Sequence, residues 1–264
     1  MLERKYNIER KSEVLNLLEE QGKVNVNQLS DLLNVSKETI RRDLKEMEDS
    51  GLIRRTHGGA VLSDTSKGVK EYPYLMREVQ NYMEKDRICR EAAKTILDGD
   101  TVFIDNSSST LNMIHHIHKD YQVTVITNSI RLLLDASLIE NSNLTLISLG
   151  GVFRAKNFSL TGIMANEWIN NFRPNKVFLS CYGVYEGEGF TDSSIYEIDV
   201  KRLMMEKAQK VYMLADSTKF GKKGVVFLSD FSKVDYIVTD RELSPDKARL
   251  IESQGTRIVV AREN

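Results

Sequence analysis

The stretch from Val24 to Asp43, VNVNQLSDLLNVSKETIRRD, constrains this chain more than any other. Two short amphipathic segments flank a brief break, a pattern that fits a helix, a tight turn and a second helix. Asn25 stands three residues before Gln28, a capping-box spacing that opens the first helix. Leu29, Leu32 and Leu33 supply its buried face, and Asn34 and Val35 make the turn. Ser36 is a good N-cap for the next helix. There Ile40, Leu44 and Met47 recur at spacings of four and three, an apolar stripe of helical period that runs out at Ser50-Gly51. Upstream, Asn7 to Gln21 carries Ile8, Val14, Leu15, Leu17 and Leu18 at mostly helical spacing and ends on Gly22, predicting a further helix.

The helix after Ser36 has a second face. Lys37, Arg41 and Lys45 follow one another at spacings of four, with Arg42 beside them. An apolar stripe opposite a basic one lets a helix dock on its own domain and enter a DNA major groove. Arginine can pair bidentately with guanine, whereas lysine mainly meets phosphate. Glu38, Glu46 and Glu48 dilute the pattern, so a solvated charged face is the plainer alternative. Charge totals do not decide the matter: residues 1–60 hold eleven basic and eleven acidic residues, and the whole chain has a net charge of −1. A nucleic-acid reading must rest on where the charges lie. The following segment, LIRRTHGGAVL, favours it. Arg54, Arg55, Thr56 and His57 precede a Gly58-Gly59 turn between apolar ends, which predicts a short basic hairpin of the kind that flanks DNA as a wing.

The run VSKETIRRDLKEMEDSGLIRRTHGGAVL resembles the N-terminal domain of the DeoR family of bacterial transcriptional regulators, whose pattern is VS-x-x-TIRRDL followed by R-x-x-GGA. Val35, Ser36, Thr39, Ile40, Arg41, Arg42, Asp43, Leu44, Arg55, Gly58, Gly59 and Ala60 all fit that pattern. The resemblance implies a winged helix-turn-helix domain over 1–62, with the helix-turn-helix at about 24–43. The residues expected at DNA are Ser36, Lys37, Thr39, Arg41, Arg42, Lys45, Arg54, Arg55 and His57, and the expected partner is double-stranded operator DNA.

Residues 63–84 read as a linker: SDTSKGVKEYPY is polar with Gly68 and Pro73, and Leu75 to Asp86 is charged and poorly periodic. From residue 85 the chain alternates helices with nearly continuous apolar strands, among them TVFID, VTVIT, LTLISLG, KVFLSCYGV, VYMLAD, VDYIVTD and RIVVA. Such alternation predicts a mostly parallel sheet covered on both faces, with ligands bound outside the strands' carboxyl ends. Those ends are rich in polar and glycine residues. Ser107, Ser108, Ser109 and Thr110 follow TVFID, where they would open a helix and cradle a phosphate or polyol. Asn128 follows VTVIT, Gly150 and Gly151 follow LTLISL, Gly183 follows KVFLSCY, and Lys219 offers a cation after VYMLAD. Simple capping and ordinary turn chemistry are the plainer alternatives at each.

The DeoR resemblance extends through this half. The family's D-x-G-T/S-T/S loop, TNS, GG, G-x-T and LADSSKFG segments correspond to Asp105–Thr110, Thr127–Ser129, Gly150-Gly151, Gly189–Asp192 followed by Glu197 and Lys201, and Leu214–Gly221. Ser107 stands where the family has glycine. The resemblance implies an effector-sensing and oligomerisation domain over 85–264, similar in fold to ribose-5-phosphate isomerase and CoA transferases. It also implies a phosphorylated sugar or related metabolite as effector, with Asp105, Glu197, Lys201 and Asp216 joining the residues above. One winged helix reads only a half-site, so a homo-oligomer, dimer or tetramer, is expected. The function so implied is a DNA-binding regulator, a repressor of a carbohydrate-metabolism operon. The alternative is a sugar-phosphate isomerase with an added winged domain, in which Asp105, Glu197, Asp216 and Lys219 would supply acid, base and cation.

Other chemistries find little support. His115, His116 and His118 lack the i, i+4 spacing and carboxylates of a metal site, and no GxGxxG or GxxxxGK[ST] nucleotide motif occurs, so neither metal nor cofactor is expected. Cys89 and Cys181 read as buried thiols in a reducing cytosol. No apolar run long enough to span a membrane or serve as a signal peptide is present, which together predict a cytoplasmic location. Trp168 reads as a core or subunit-interface residue.

Overall fold

The computed structural model describes residues 2–49, 51–62 and 74–262. The chain divides into two compact units, the first including the helix at 74–79 and the second running on from Glu84.

In the first unit, α1 (Leu2–Gln21) leads through Gly22, at φ 73°, into a short strand, β1 (Lys23–Asn25). Helix α2 (Val26–Leu32) is capped by Asn25, whose side chain accepts from Gln28 N at 2.9 Å. The turn to α3 (Lys37–Asp49) passes through Asn34 at φ 50° and is tied by Ser30 Oγ donating to Val35 O at 2.7 Å. Strands β2 (Ile53–Thr56) and β3 (Gly59–Leu62) form the predicted hairpin, and β1 adds to it antiparallel, in the order β1-β3-β2. The sequence reading missed β1 because three residues with one apolar side chain carry no period. α1 begins five residues before the predicted start.

The expected linker over 63–84 is corrected in its second half. α4 (Tyr74–Val79) is a helix, and α5 (Tyr82–Ala93) begins before residue 85. α4 buries Tyr74, Met76 and Val79, and Met76 joins the core of the first unit with Val14, Leu18, Leu29, Ile40, Leu44 and Met47. Asn81, at φ 50°, separates the two helices and hides their period from a sequence reading. The remainder of that expectation, 63–73, lies outside the described residues.

The second unit is built on a seven-stranded sheet. Its strands are β4 (Thr101–Ile104), β5 (Val123–Thr127), β6 (Leu144–Ser148), β9 (Lys176–Leu179), β12 (Lys210–Leu214), β14 (Tyr236–Thr239) and β15 (Arg257–Val260), in the order β15-β14-β12-β9-β4-β5-β6. Every neighbouring pair is parallel. The central strands bury Val102, Phe103, Val177, Phe178 and Met213, as two-sided cover requires. Helices α6 (Met113–His116), α7 (Ile130–Ala136), α8 (Ile163–Ile169), α9 (Ile198–Lys207) and α10 (Pro245–Glu252) lie between strands in the chain.

Two small antiparallel sheets were not anticipated. One pairs β7 (Val152–Arg154) with β8 (Ser159–Thr161). The other orders β10 (Gly183–Tyr185), β11 (Gly189–Asp192) and β13 (Val226–Ser229). The apolar run 176–184, expected as one strand, is therefore two, with the chain breaking at Ser180–Tyr182 to leave the main sheet. Among the described residues, no helix is long and apolar enough to cross a membrane.

Candidate nucleic-acid interface and ligand site

In the first unit, α3 presents the predicted division of labour. Ile40, Leu44 and Met47 are buried, while Lys37, Arg41, Arg42 and Lys45 are exposed. Ser36 caps the helix, accepting from Thr39 N at 3.1 Å and meeting the Thr39 hydroxyl at 2.9 Å. An open groove of roughly 550 Å³ is lined by Ser36, Thr39, Arg41, Arg42, Lys45 and the wing residue Arg55, together with Glu38. Arg54 alternates to the other face of β2 and does not line it, and Lys37 does not either. His57 lies at the wing tip, in a second groove of roughly 400 Å³ with Lys23, Asn25 and Gln28.

The acidic residues that clouded the sequence pattern are accounted for. Glu46 pairs with Lys11, Glu48 accepts from Arg55 N at 2.8 Å, and Glu38 pairs with Arg41 at 3.3 Å. The last is an exposed pair of small worth, easily exchanged for phosphate or a base edge. Asp43 has no exposed surface and faces inward. Arg10 clamps it from α1, with Nε to Oδ2 at 2.5 Å and NH2 to Oδ1 at 3.1 Å, and Asn7 adds a contact at 3.4 Å. Arg10 is held above its ordinary pKa mainly by that bond to Asp43. The sequence reading assigned Arg10 no role. Gly59 is required where the wing crosses β1: a Cβ there would sit 2.0 Å from Val24 O. Gly58 O accepts from Val26 N at 2.9 Å, tying the wing tip to the start of α2.

In the second unit, the carboxyl ends of β4, β5, β9 and β12 gather most of the expected polar residues. Asp105, just past β4 and 1% exposed, accepts from Ser107 N (3.0 Å), Ser107 Oγ (2.6 Å), Thr110 Oγ1 (2.8 Å) and Ser180 N (3.2 Å). Its oxygens are spent on the chain itself, so it shapes the loop and ties β4 to β9. The expected helix opening at Ser107–Thr110 is corrected. These residues form turns, and α6 begins only at Met113. The hydroxyls of Ser107 and Thr110 donate to the Asp105 carboxylate, a local bond that competes with helix capping. Ser108 accepts from Lys85 Nζ at 3.2 Å, while the buried Ser109 Oγ has no hydrogen-bond partner among the described residues. Asn128 donates to Asn106 Oδ1 at 3.2 Å, and its own buried Oδ1 is likewise without a partner among them.

Three lysines converge on this edge. Lys201 is buried and donates to Ser180 O (2.7 Å) and Asp192 Oδ2 (2.6 Å), with Asp105 Oδ2 at 3.5 Å. Burial pulls its pKa down, but Asp192 and Asp105 outweigh that and raise it, so it stays charged. Lys219, half-buried, donates to Ser180 Oγ (3.2 Å) and Cys181 O (2.6 Å), both neutral, and forms no ion pair among the described residues. Lys85 was not anticipated, because a lysine on α5 belongs to no recognisable pattern. Asp216 lies within the influence of Lys219 and Lys85. Burial would raise its pKa, yet those two cations and the hydrogen bonds from Thr218 lower it.

Three expected site residues serve the scaffold. Glu197 accepts from Arg154 NH1 (2.8 Å), Asn157 Nδ2 (2.8 and 2.9 Å) and Ser159 Oγ (2.6 Å), which anchors the loop between β7 and β8. A Cβ at Gly151 would sit 2.5 Å from Thr161 O, and one at Gly183 would sit 2.2 Å from Lys222 O. Both glycines thus answer to the chain's own backbone. Gly150, at φ 66°, opens onto free space. Both cysteines are buried, and burial pushes the Cys181 thiol up to about 12. His115 meets Asp135 at 3.1 Å and His116 meets Asp86 at 3.0 Å. Among the described residues, no three His, Cys, Asp or Glu side chains are grouped to hold a metal ion.

Comparison with known proteins places both halves. The DeoR-like helix-turn-helix domain model matches residues 10–66, and the DeoR C terminal sensor domain model matches residues 80–241. The HTH-type transcriptional regulator GolR of Listeria innocua is 32% identical over 96% of this chain and 98% of its own length. The regulator GlpR of Haloferax volcanii is 36% identical over 95% of this chain and 96% of its own. The glycerol-3-phosphate regulon repressor of Escherichia coli is 29% identical over 88% of this chain and 90% of its own. Among solved structures, ribose 5-phosphate isomerase A of Methanocaldococcus jannaschii covers 53% of this chain and 55% of its own, at 16% identity and a TM-score of 0.39.

Proposed function

The chain belongs to the DeoR family of transcriptional regulators, and from that premise we propose that it is a homo-oligomeric repressor of a carbohydrate-metabolism operon, released from its operator by a phosphorylated sugar or related metabolite. DNA is read by Thr39, Arg41, Arg42 and Lys45 of α3, with Arg55 and His57 of the wing on the backbone. The effector lies at the carboxyl ends of β4, β5, β9 and β12. The observation that carries this reading is Lys219, whose ammonium meets, among the described residues, only neutral oxygens within hydrogen-bond reach, at an edge where Ser109 Oγ and Asn128 Oδ1 also lack partners among them. A phosphate would complete the lysine's coordination, and sugar hydroxyls would satisfy the two orphaned oxygens. Asp105 and Lys201 hold the loops in place. Lys201 is shared between Asp192 and Asp105, and the Asp105 oxygens are already occupied by donors of their own loops.

A ligand shifts DNA affinity only by binding one arrangement of the protein better than another. The test is thermal unfolding of the full chain with triose, pentose and hexose phosphates, each beside its unphosphorylated sugar. A phosphorylated member at one hundred times its Kd should add about 2.7 kcal/mol of stability and weaken operator binding, with no isomerised product. Lys219→Met should abolish both effects. Equal stabilisation by the unphosphorylated sugar, or conversion of the sugar phosphate, would overturn the reading.

A further inference from the structure

The second unit exposes an apolar face outside the ligand edge. Strand β7 carries Val152 (67% exposed) and Phe153 (50%), and α8 carries Ile163 (77%), Met164 (64%) and Trp168 (50%). They adjoin one another: the position of a Cβ at Gly162, immediately before Ile163, is 3.7 Å from Val152 Cγ2, and Met164 and Trp168 are one helical turn apart. Tyr196 (63% exposed) extends the face, its ring 4.4 Å from the Arg154 guanidinium carbon. With large side chains presenting roughly 100 Å² or more apiece when half exposed, the five on the Val152 side expose about 500–600 Å², and Phe153, on the other side of the strand, adds about 100 Å². The contiguous part is at the upper end of the largest patch of an ordinary monomer, about 300–600 Å², and both sides together approach the ~800 Å² each partner gives to a standard interface.

β7 also indicates what covers the face. It pairs only with β8, and no strand lies on its other edge among the described residues. Val152 and Phe153 are neighbours on a strand, so they point to opposite sides. A partner lying on one side would leave one of them without a neighbour, whereas a strand added to the edge brings a cross-strand neighbour to each. An uncovered apolar edge is a template for pairing, and a second copy brings the same strand with the same helix beside it. An antiparallel β7 pair about a two-fold axis is self-complementary and closes at two chains.

We propose that β7 and α8 form an isologous interface with a second copy of this chain. The proposal rests on the homo-oligomer reading above and assigns it a surface. It also connects that surface to the ligand edge: Arg154 at the end of β7 holds Glu197, and Lys201 follows one turn later on α9, its N–H donating to Glu197 O at 3.1 Å. A ligand that moves Lys201 thereby acts on the strand at the interface.

The experiment is sedimentation velocity of the full chain and of Ile163→Glu and Met164→Glu, with Leu97→Glu as a control at an exposed residue elsewhere, after circular dichroism confirms that each is folded. The wild type and the control should sediment as a dimer or larger, and the two α8 variants as the next smaller species. Hydrogen exchange of the wild type should show peptides spanning 151–156 and 163–169 gaining protection as concentration rises. An oligomeric wild type with unchanged α8 variants, or with protection gained only elsewhere, overturns the assigned surface and leaves the homo-oligomer reading standing. A monomeric wild type overturns both, including the case in which the face is protected at every concentration by the chain's own first unit.

Discussion

Removing Arg10 should disable the DNA-binding unit although Arg10 lines neither groove of that unit. Asp43 lies on the recognition helix with no exposed surface, and Arg10 holds both of its oxygens. Breaking a buried ion pair from one side costs about 3–5 kcal/mol, because a charge is left without compensation. Arg10 is 14% exposed and Asn7 remains at 3.4 Å, so some solvent and one weak donor still reach the carboxylate, which sets the expectation at the lower end, about 3 kcal/mol. For a domain of this size that corresponds to a fall of about 12–24 °C in Tm. The single tryptophan, Trp168, lies in the second unit. Arg10→Ala should therefore lose helical circular dichroism in an early transition that leaves tryptophan fluorescence unchanged until a later one. Adding Asp43→Ala to Arg10→Ala should recover stability, because it removes the stranded charge. A loss below about 1 kcal/mol for Arg10→Ala, or strictly additive losses in the double variant, would refute the reasoning.

Arg41→Ala and Arg42→Ala should each cost about 1–3 kcal/mol of specific operator binding with little effect on non-specific DNA, measured by titration against operator and scrambled duplexes. Lys45→Ala should weaken both duplexes alike and lower the salt dependence of binding by about one counterion. Gly59→Ala places a methyl against Val24 O and must displace β1 from the wing, costing about 1–3 kcal/mol in the first transition of the melt. Asp216 has a lowered pKa in the folded state, so it stabilises the protein above its ordinary pKa, and that contribution disappears as pH falls through the ordinary and then the folded value. Tm followed by Trp168 fluorescence from about pH 5 down to pH 3 should fall more steeply for the wild type than for Asp216→Asn. Parallel curves would show that Asp216 carries no such linkage.

The first unit was legible because its signals are local. Asn25 caps as its spacing to Gln28 indicates, Ser36 caps the next helix as its residue type favours, and Ile40, Leu44 and Met47 bury as their period requires. Arg10 was not legible, since its partner is 33 positions away and nothing in either neighbourhood marks the pair. The same divide holds in the second unit. Apolar runs revealed the main sheet, but the break at Ser180–Tyr182 lies inside one such run. The polar cluster past the strands' carboxyl ends could be anticipated from the residues after each strand, and the hydrogen bonds within it could not. Whether Asp105 and Glu197 face a ligand or their own loops depends on donors such as Ser180 N and Arg154, which only the fold brings near. Lys85 was missed for the same reason.

The strand order has a consequence for synthesis. β4 lies between β5, which follows it closely in the chain, and β9, which emerges only some seventy residues later. Until Lys176–Leu179 leave the ribosome, one edge of β4 has no strand to pair with, and Asp105 cannot receive its bond from Ser180 N. The first unit draws on nothing that late and can close soon after Val79 has emerged. At ~5–20 residues per second, the roughly 180 residues from there to Val260 take about 10–40 s to appear. For that interval each nascent chain carries a finished DNA-binding head and no finished sensor to govern it.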